Sequence, residues 1–102
     1  MKRALAVMAV ASLWTLGAQA ASLKDGGYVG CVTEDYLDQF ISAAVGSDTK
    51  GMEFLMSGYK CVPLSSKFEI SVLDTGFTVS QVRVYAGGGA VELWTVNEAI
   101  QR

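Results

Sequence analysis

The sequence predicts an α+β fold: a small antiparallel β-barrel or strongly bent sheet with an inserted helical hairpin and one disulfide. Three observations carry that expectation. Residues 67–96, KFEISVLDTGFTVSQVRVYAGGGAVELWTV, read as three consecutive strands joined by glycine-marked turns. Residues 33–58 carry two apolar stripes at helical spacing. Two cysteines, Cys31 and Cys61, bracket those helices.

The strands come first because they are the most regular. In residues 68–73, Phe68, Ile70 and Val72 alternate with Glu69 and Ser71, so one face is apolar and the other mostly polar. Asp74, Thr75 and Gly76 supply turn chemistry, with Gly76 available for a positive φ. In the second strand, residues 77–85, the apolar phase changes between Phe77/Val79 and Val82/Val84. That change predicts a bulge or bend near Ser80 and Gln81. Gly87, Gly88 and Gly89 make the next turn, and residues 91–96 the third strand. Asn97 is placed to cap a short terminal helical turn over residues 98–101.

Before the strands lies the hairpin. Residues 21–27 read as a leader of little structure, and residues 28–32 as a short strand. Thr33 sits as an N-cap, followed by Glu34 and Asp35, where the helix dipole favours negative charge. Leu37, Phe40, Ile41 and Ala44 make one stripe, ended by Gly46. Ser47 or Asp48 caps a second helix. Its stripe is Met52, Leu55, Met56 and Tyr59, with Gly58 placed to stop it. A hairpin with two apolar stripes must pack on the strand layer or on a partner.

Residues 1–20 read as a signal peptide. Lys2 and Arg3 form a positive start, residues 4–16 an apolar run too short for a bilayer, and Ala18-Gln19-Ala20 a small-x-small cleavage site. Residues 21–102 then form one domain, periplasmic or secreted, without further membrane insertion. Two cysteines outside the reducing cytosol pair most simply as a structural disulfide.

The whole chain has 8 basic and 10 acidic residues. Removing Lys2 and Arg3 leaves 6 against 10, a formal charge of −4. An acidic, unclustered surface argues against nucleic acid and against anionic lipid as partners.

Histidine is absent. Ser-His-Asp and Cys-His nucleophiles are therefore excluded, as are most catalytic metal sites, and no cofactor or metal is expected. Glu34, Asp35 and Asp38 cluster at a helix start and read as a solvated N-terminus. Glu69 and Glu92 lie on strands and are possible cross-strand neighbours. The glycine run lacks the Lys-Ser/Thr that a phosphate loop needs and joins two strands, so it reads as a hairpin turn.

Residues 67–100 resemble the C-terminal half of bacterial SH3-like domains. The matching segments are Ile70-Ser71-Val72-Leu73, Val82-Arg83-Val84, the glycine turn and Leu93-Trp94-Thr95-Val96, followed by a short helical turn. The helical hairpin stands where such domains carry part of their ligand groove. The resemblance implies a non-enzymatic domain that grips extended peptide with aromatic side chains. Trp94, Tyr85 and Phe77 are the expected ligand-binding residues, and a protein or peptidoglycan peptide the expected partner. A rival reading is a periplasmic inhibitor or immunity protein against a secreted hydrolase, steered by opposite charge. A third, an enzyme working through carboxylates, needs two close acids in a cleft.

Overall fold

A computed structural model describes residues 21–102; the expected signal peptide lies outside the described residues. The first helix, α1 (Glu34–Val45), starts where Thr33 accepts the Tyr36 N–H on its hydroxyl at 3.1 Å. The second, α2 (Thr49–Ser57), starts where Asp48 accepts the Gly51 N–H at 3.0 Å. Each cap satisfies a donor that helix geometry leaves unpaired.

Both helices end alike. Gly46 and Gly58 are the C-caps, but each keeps a negative φ. The left-handed residue is the next one, Ser47 (φ 55°) and Tyr59 (φ 57°). The Ser47 and Asp48 N–H groups close back on Ala44 and Ala43, and the Tyr59 and Lys60 N–H groups on Met56 and Leu55. This is the paired-bond helix stop that usually places glycine at the left-handed position. Here a serine and a tyrosine take it, at on the order of 1 kcal/mol each.

The strands are β1 (Ser22–Leu23), β2 (Val29–Cys31), β3 (Cys61–Pro63), β4 (Glu69–Thr75), β5 (Val79–Ala86), β6 (Gly89–Val96) and β7 (Ile100–Gln101). Five of them form an antiparallel sheet in the order β3-β2-β6-β5-β4. β1 and β7 pair separately. The sheet is open, not closed into the barrel offered as one alternative. Its edges are β3 and β4, and β3 is three residues long and ends on Pro63, which has no N–H to donate.

The hairpin lies on one face of this sheet. Cys31, Leu37, Leu55 and Cys61 are buried together there, with Val29, Phe40, Ile41, Met56, Val79 and Trp94 packed around them. The opposite face buries Leu64, Ile70, Val82, Val84 and Leu93, joined by Leu23 of β1 and Ile100 of β7. Cys31 and Cys61 sit directly opposite each other on β2 and β3 and form the expected disulfide. It closes the segment holding both helices.

Three local expectations are corrected. The bulge is in β4, not β5: Leu73 is the extra residue, between the pairs Val72–Val82 and Asp74–Gln81. The phase change in β5 has another cause. Its start packs on both faces, with half-buried Val79 toward the helices and buried Ser80, Val82 and Val84 toward the other cluster. Residues 21–27 are not structureless, because Ser22 and Leu23 pair with Gln101 and Ile100 and Leu23 is buried. The terminal helical turn shrinks to a 3-10 turn, Asn97–Ala99, because Ile100 and Gln101 are taken by that pairing.

Gly87 and Gly88 both have positive φ and form a two-residue hairpin loop, with Gly89 already in β6. Gly76 does not use a positive φ. Its N–H donates to the Val79 carbonyl at 2.9 Å, and that same oxygen occupies the space a Cβ would need.

Candidate functional site

On the helix-side face, β5 and β6 place cross-strand pairs in a row: Val79–Val96, Gln81–Trp94, Arg83–Glu92 and Tyr85–Ala90. The hairpin covers the first part of that row. Trp94 is half-buried against the helical cluster, opposite Cys31 on its other side. Beyond Trp94 the face opens to solvent. Glu92 and Tyr85 are exposed, as is Glu69 on β4.

This open half is polar and ordered. Arg83 and Glu92 form a 2.8 Å ion pair. The Tyr85 phenol oxygen lies 3.1 Å from the Ser71 hydroxyl. Ser71 and the neighbouring Arg83 guanidinium hold the Tyr85 phenol below its ordinary pKa. Glu92, and then Tyr85, hold the Arg83 guanidinium more firmly protonated than usual. Tyr85 therefore stands braced, its ring exposed and its oxygen engaged.

The three expected ligand-binding residues are spread along β5. Four strand positions, about 13 Å, separate the Gln81–Trp94 level from Tyr85. Phe77 lies before β5, on the β4–β5 turn, eight residues from Tyr85 and beyond the far end of the strand. It is 89% exposed. Trp94 and Tyr85 thus share one face at a spacing that suits an extended peptide, and Phe77 stands apart at the far end.

Asn97 positions Phe77. Its amide donates to the Gly76 and Phe77 carbonyls, both at 3.1 Å, and its carbonyl accepts from Ser80 at 2.5 Å. The Asn97 N–H also donates to Thr78. The side chain expected to cap the terminal turn instead makes no cap and clamps a turn twenty residues earlier. Nothing local in the sequence signals that role, which depends on the end of β6 lying beside the start of β5.

Register corrects the cross-strand reading of Glu69 and Glu92. Glu69 pairs with Tyr85 and Glu92 with Arg83, so β5 separates the two acids by two strand spacings, about 10 Å. They are not neighbours. Among the described residues no group of three or more His, Cys, Asp or Glu side chains is arranged to hold a metal ion.

A second aromatic group, of which the sequence reading named Tyr59, lies at the closing end of the hairpin. The Lys60 ammonium sits 5.7 Å from the Tyr36 ring centre and 5.3 Å from that of Phe54, so it joins the two helices through their aromatic faces. Phe54 is 66% and Tyr59 78% exposed. Helical spacing assigns Tyr59 to the apolar stripe of α2, but the left-handed stop turns it out of the helix.

Compared with known protein families, curated proteins and solved structures, the chain matches none.

Proposed function

We propose that this protein is an exported, non-enzymatic binding domain of SH3-like type that recognises an extended peptide of protein or cell-wall origin. The contact surface is the open face of β5 and β6, with Trp94 and Tyr85 as central contacts and Phe77 as an outlying one. The observation that carries the reading is the braced, exposed Tyr85 about 13 Å along the strand from a half-exposed Trp94. Four extended residues span that distance. The Arg83–Glu92 pair between them offers one donor and one acceptor group to a peptide backbone.

The β4–β5–β6 meander and the 3-10 turn after it support the SH3-like assignment. The disulfide supports export, since such bonds persist in oxidising compartments. The acidic balance, −4 without the leader, makes nucleic acid an unsuitable partner.

The test is co-sedimentation of the oxidised protein with purified cell-wall sacculi at two salt concentrations. Wall-peptide recognition predicts retention at both, reduced about tenfold in Tyr85→Ala. Tyr85 is the first choice for substitution because it is exposed, whereas Trp94→Ala also removes packing beneath the helices. No retention at either salt concentration rejects the cell-wall peptide and leaves a protein peptide as the partner, and retention equal in Tyr85→Ala rejects this contact surface.

A further inference from the structure

The bond expected to be cut on export, Ala20–Ala21, lies one residue before the start of β1 at Ser22. Ala21 is half-buried and packs on the cluster opposite the helices. Ser22 stands opposite Gln101 and Leu23 opposite Ile100. Leu23 is 2% exposed, and the Lys24 N–H donates to the Ala99 carbonyl at 2.8 Å. Alternate antiparallel pairs carry the ladder bonds, so Ser22–Gln101 is the next bonded pair after Lys24–Ala99. The residues that follow the bond are therefore tied into the fold, where a domain's first residues are ordinarily loose.

A peptidase takes an extended stretch of chain into its active site, on both sides of the bond it cuts. Here the far side is committed elsewhere. The backbone of Ser22 and Lys24 is bonded to the segment around β7, and the Leu23 side chain shares a core with Ile70, Val82 and Leu93. Cleavage of the folded chain requires β1 to leave both. The partner also comes from far along the sequence, since Leu23 and Ile100 are 77 residues apart. β1 therefore stays unpaired until Ile100 and Gln101 have been exported and the chain between has closed the loop.

We propose that pairing of β7 with β1 shuts the signal-peptide cleavage site, so that the chain is processed before it folds and a precursor that folds first resists processing. This rests on the export reading above. The reaction is hydrolysis of one amide. Water adds across the Ala20–Ala21 bond, its hydroxyl going to the Ala20 carbonyl carbon and its proton to the Ala21 nitrogen. The peptide-binding face of β5 and β6 takes no part.

The test treats the full-length oxidised chain, refolded in mild detergent, with purified signal peptidase. A synthetic peptide of residues 14–26 is the unfolded substrate. An uncut peptide rejects the signal peptide itself and the inference built on it. With the peptide cut after Ala20, the folded chain is expected to be cut at least about tenfold more slowly, because cleavage follows the fraction of molecules in which β1 has opened. Equal rates overturn the proposal and leave the export reading standing. Two variants assign the closure to β7, a chain ended at Ile100 and Gln101→Pro. Both remove the Ser22 partner and keep Ile100 in the core. Ile100 already has the extended backbone (φ −100°, ψ 128°) that a following proline requires. Each variant that keeps the wild-type circular dichroism is expected to be cut about tenfold faster than the folded wild type. A folded variant as resistant as the wild type overturns the role of β7. Amide exchange at Lys24 in the folded wild-type chain gives a check that needs no variant: protection is expected, and an amide that exchanges as fast as in the unfolded chain overturns the closure.

Discussion

Asp25 shows how much one side chain does in a chain this short. Its carboxylate accepts the Ser66 N–H at 3.0 Å and the Ser66 hydroxyl at 2.8 Å, tying the segment after β1 to the loop before β4. These bonds, the backbone one first, hold its pKa below the usual value. The folded value is the depressed one. The clamp therefore contributes its full stability above the ordinary aspartate pKa near 3.9, and that contribution is lost as pH falls through the lower folded value. In Ser66→Ala the hydroxyl donor is gone and the N–H remains. Carbon-detected NMR titration should show the Asp25 pKa moving part of the way back to normal. An unmoved titration would show that the hydroxyl bond has no weight in solution. Thr33 and Asp48, the latter one of two residues offered for its cap, are simpler cases, because the donors they satisfy lie within three residues.

Among the elements, the β4–β5 turn is the one whose geometry is decided from a distance. Asn97 holds it through two amide donors and satisfies the buried Ser80 hydroxyl. Asn97→Ala removes all three bonds and leaves Ser80 without its partner. The expected cost is roughly 1–3 kcal/mol by urea unfolding, with faster amide exchange at Gly76 and Val79. If Phe77 contributes to binding, its contribution should fall in this variant as well, since the turn that presents it is released. Helix and strand boundaries, by contrast, were legible within a residue or two wherever apolar period and capping chemistry agreed. The β5–β6 hairpin belongs to that class, because adjacent glycines select a two-residue loop.

At the scale of the whole molecule, the disulfide is the main brace. The domain is small, with its apolar residues divided between two clusters on opposite faces of one sheet. Cys31 and Cys61 are both buried in the helix-side cluster and close 30 residues of sequence separation. On the chain-entropy account, reduction should remove roughly 3–4 kcal/mol, a large part of the 5–15 kcal/mol typical of a domain. The helical layer should loosen first, because the opposite cluster holds no cysteine. Trp94 faces that layer and is the tryptophan of the described residues. Its emission should shift to the red on reduction before the strands lose their circular dichroism. Simultaneous loss of both signals would mean that the two clusters unfold as one unit.

Local interactions are what the sequence determined by itself. The two helices, their caps, the glycine hairpin, the alternation of β4 and the pairing of the only two cysteines all follow from residues close together, or from there being one possible partner. The resemblance to SH3-like domains also arose from such a local pattern, the spacing of three strands. Tertiary structure decided everything that depends on which face a residue meets. It left the sheet open, because the edge strands are short or bulged and do not meet. It packed the start of β5 on both faces, so that an apparent bulge in sequence was a change of layer. It drew Leu23 and Ile100 together from opposite ends of the domain, sent Asn97 to a turn rather than a helix, and turned Tyr59 outward. Each of these is a contact between segments far apart in sequence, and periodicity carries no information about such a partner.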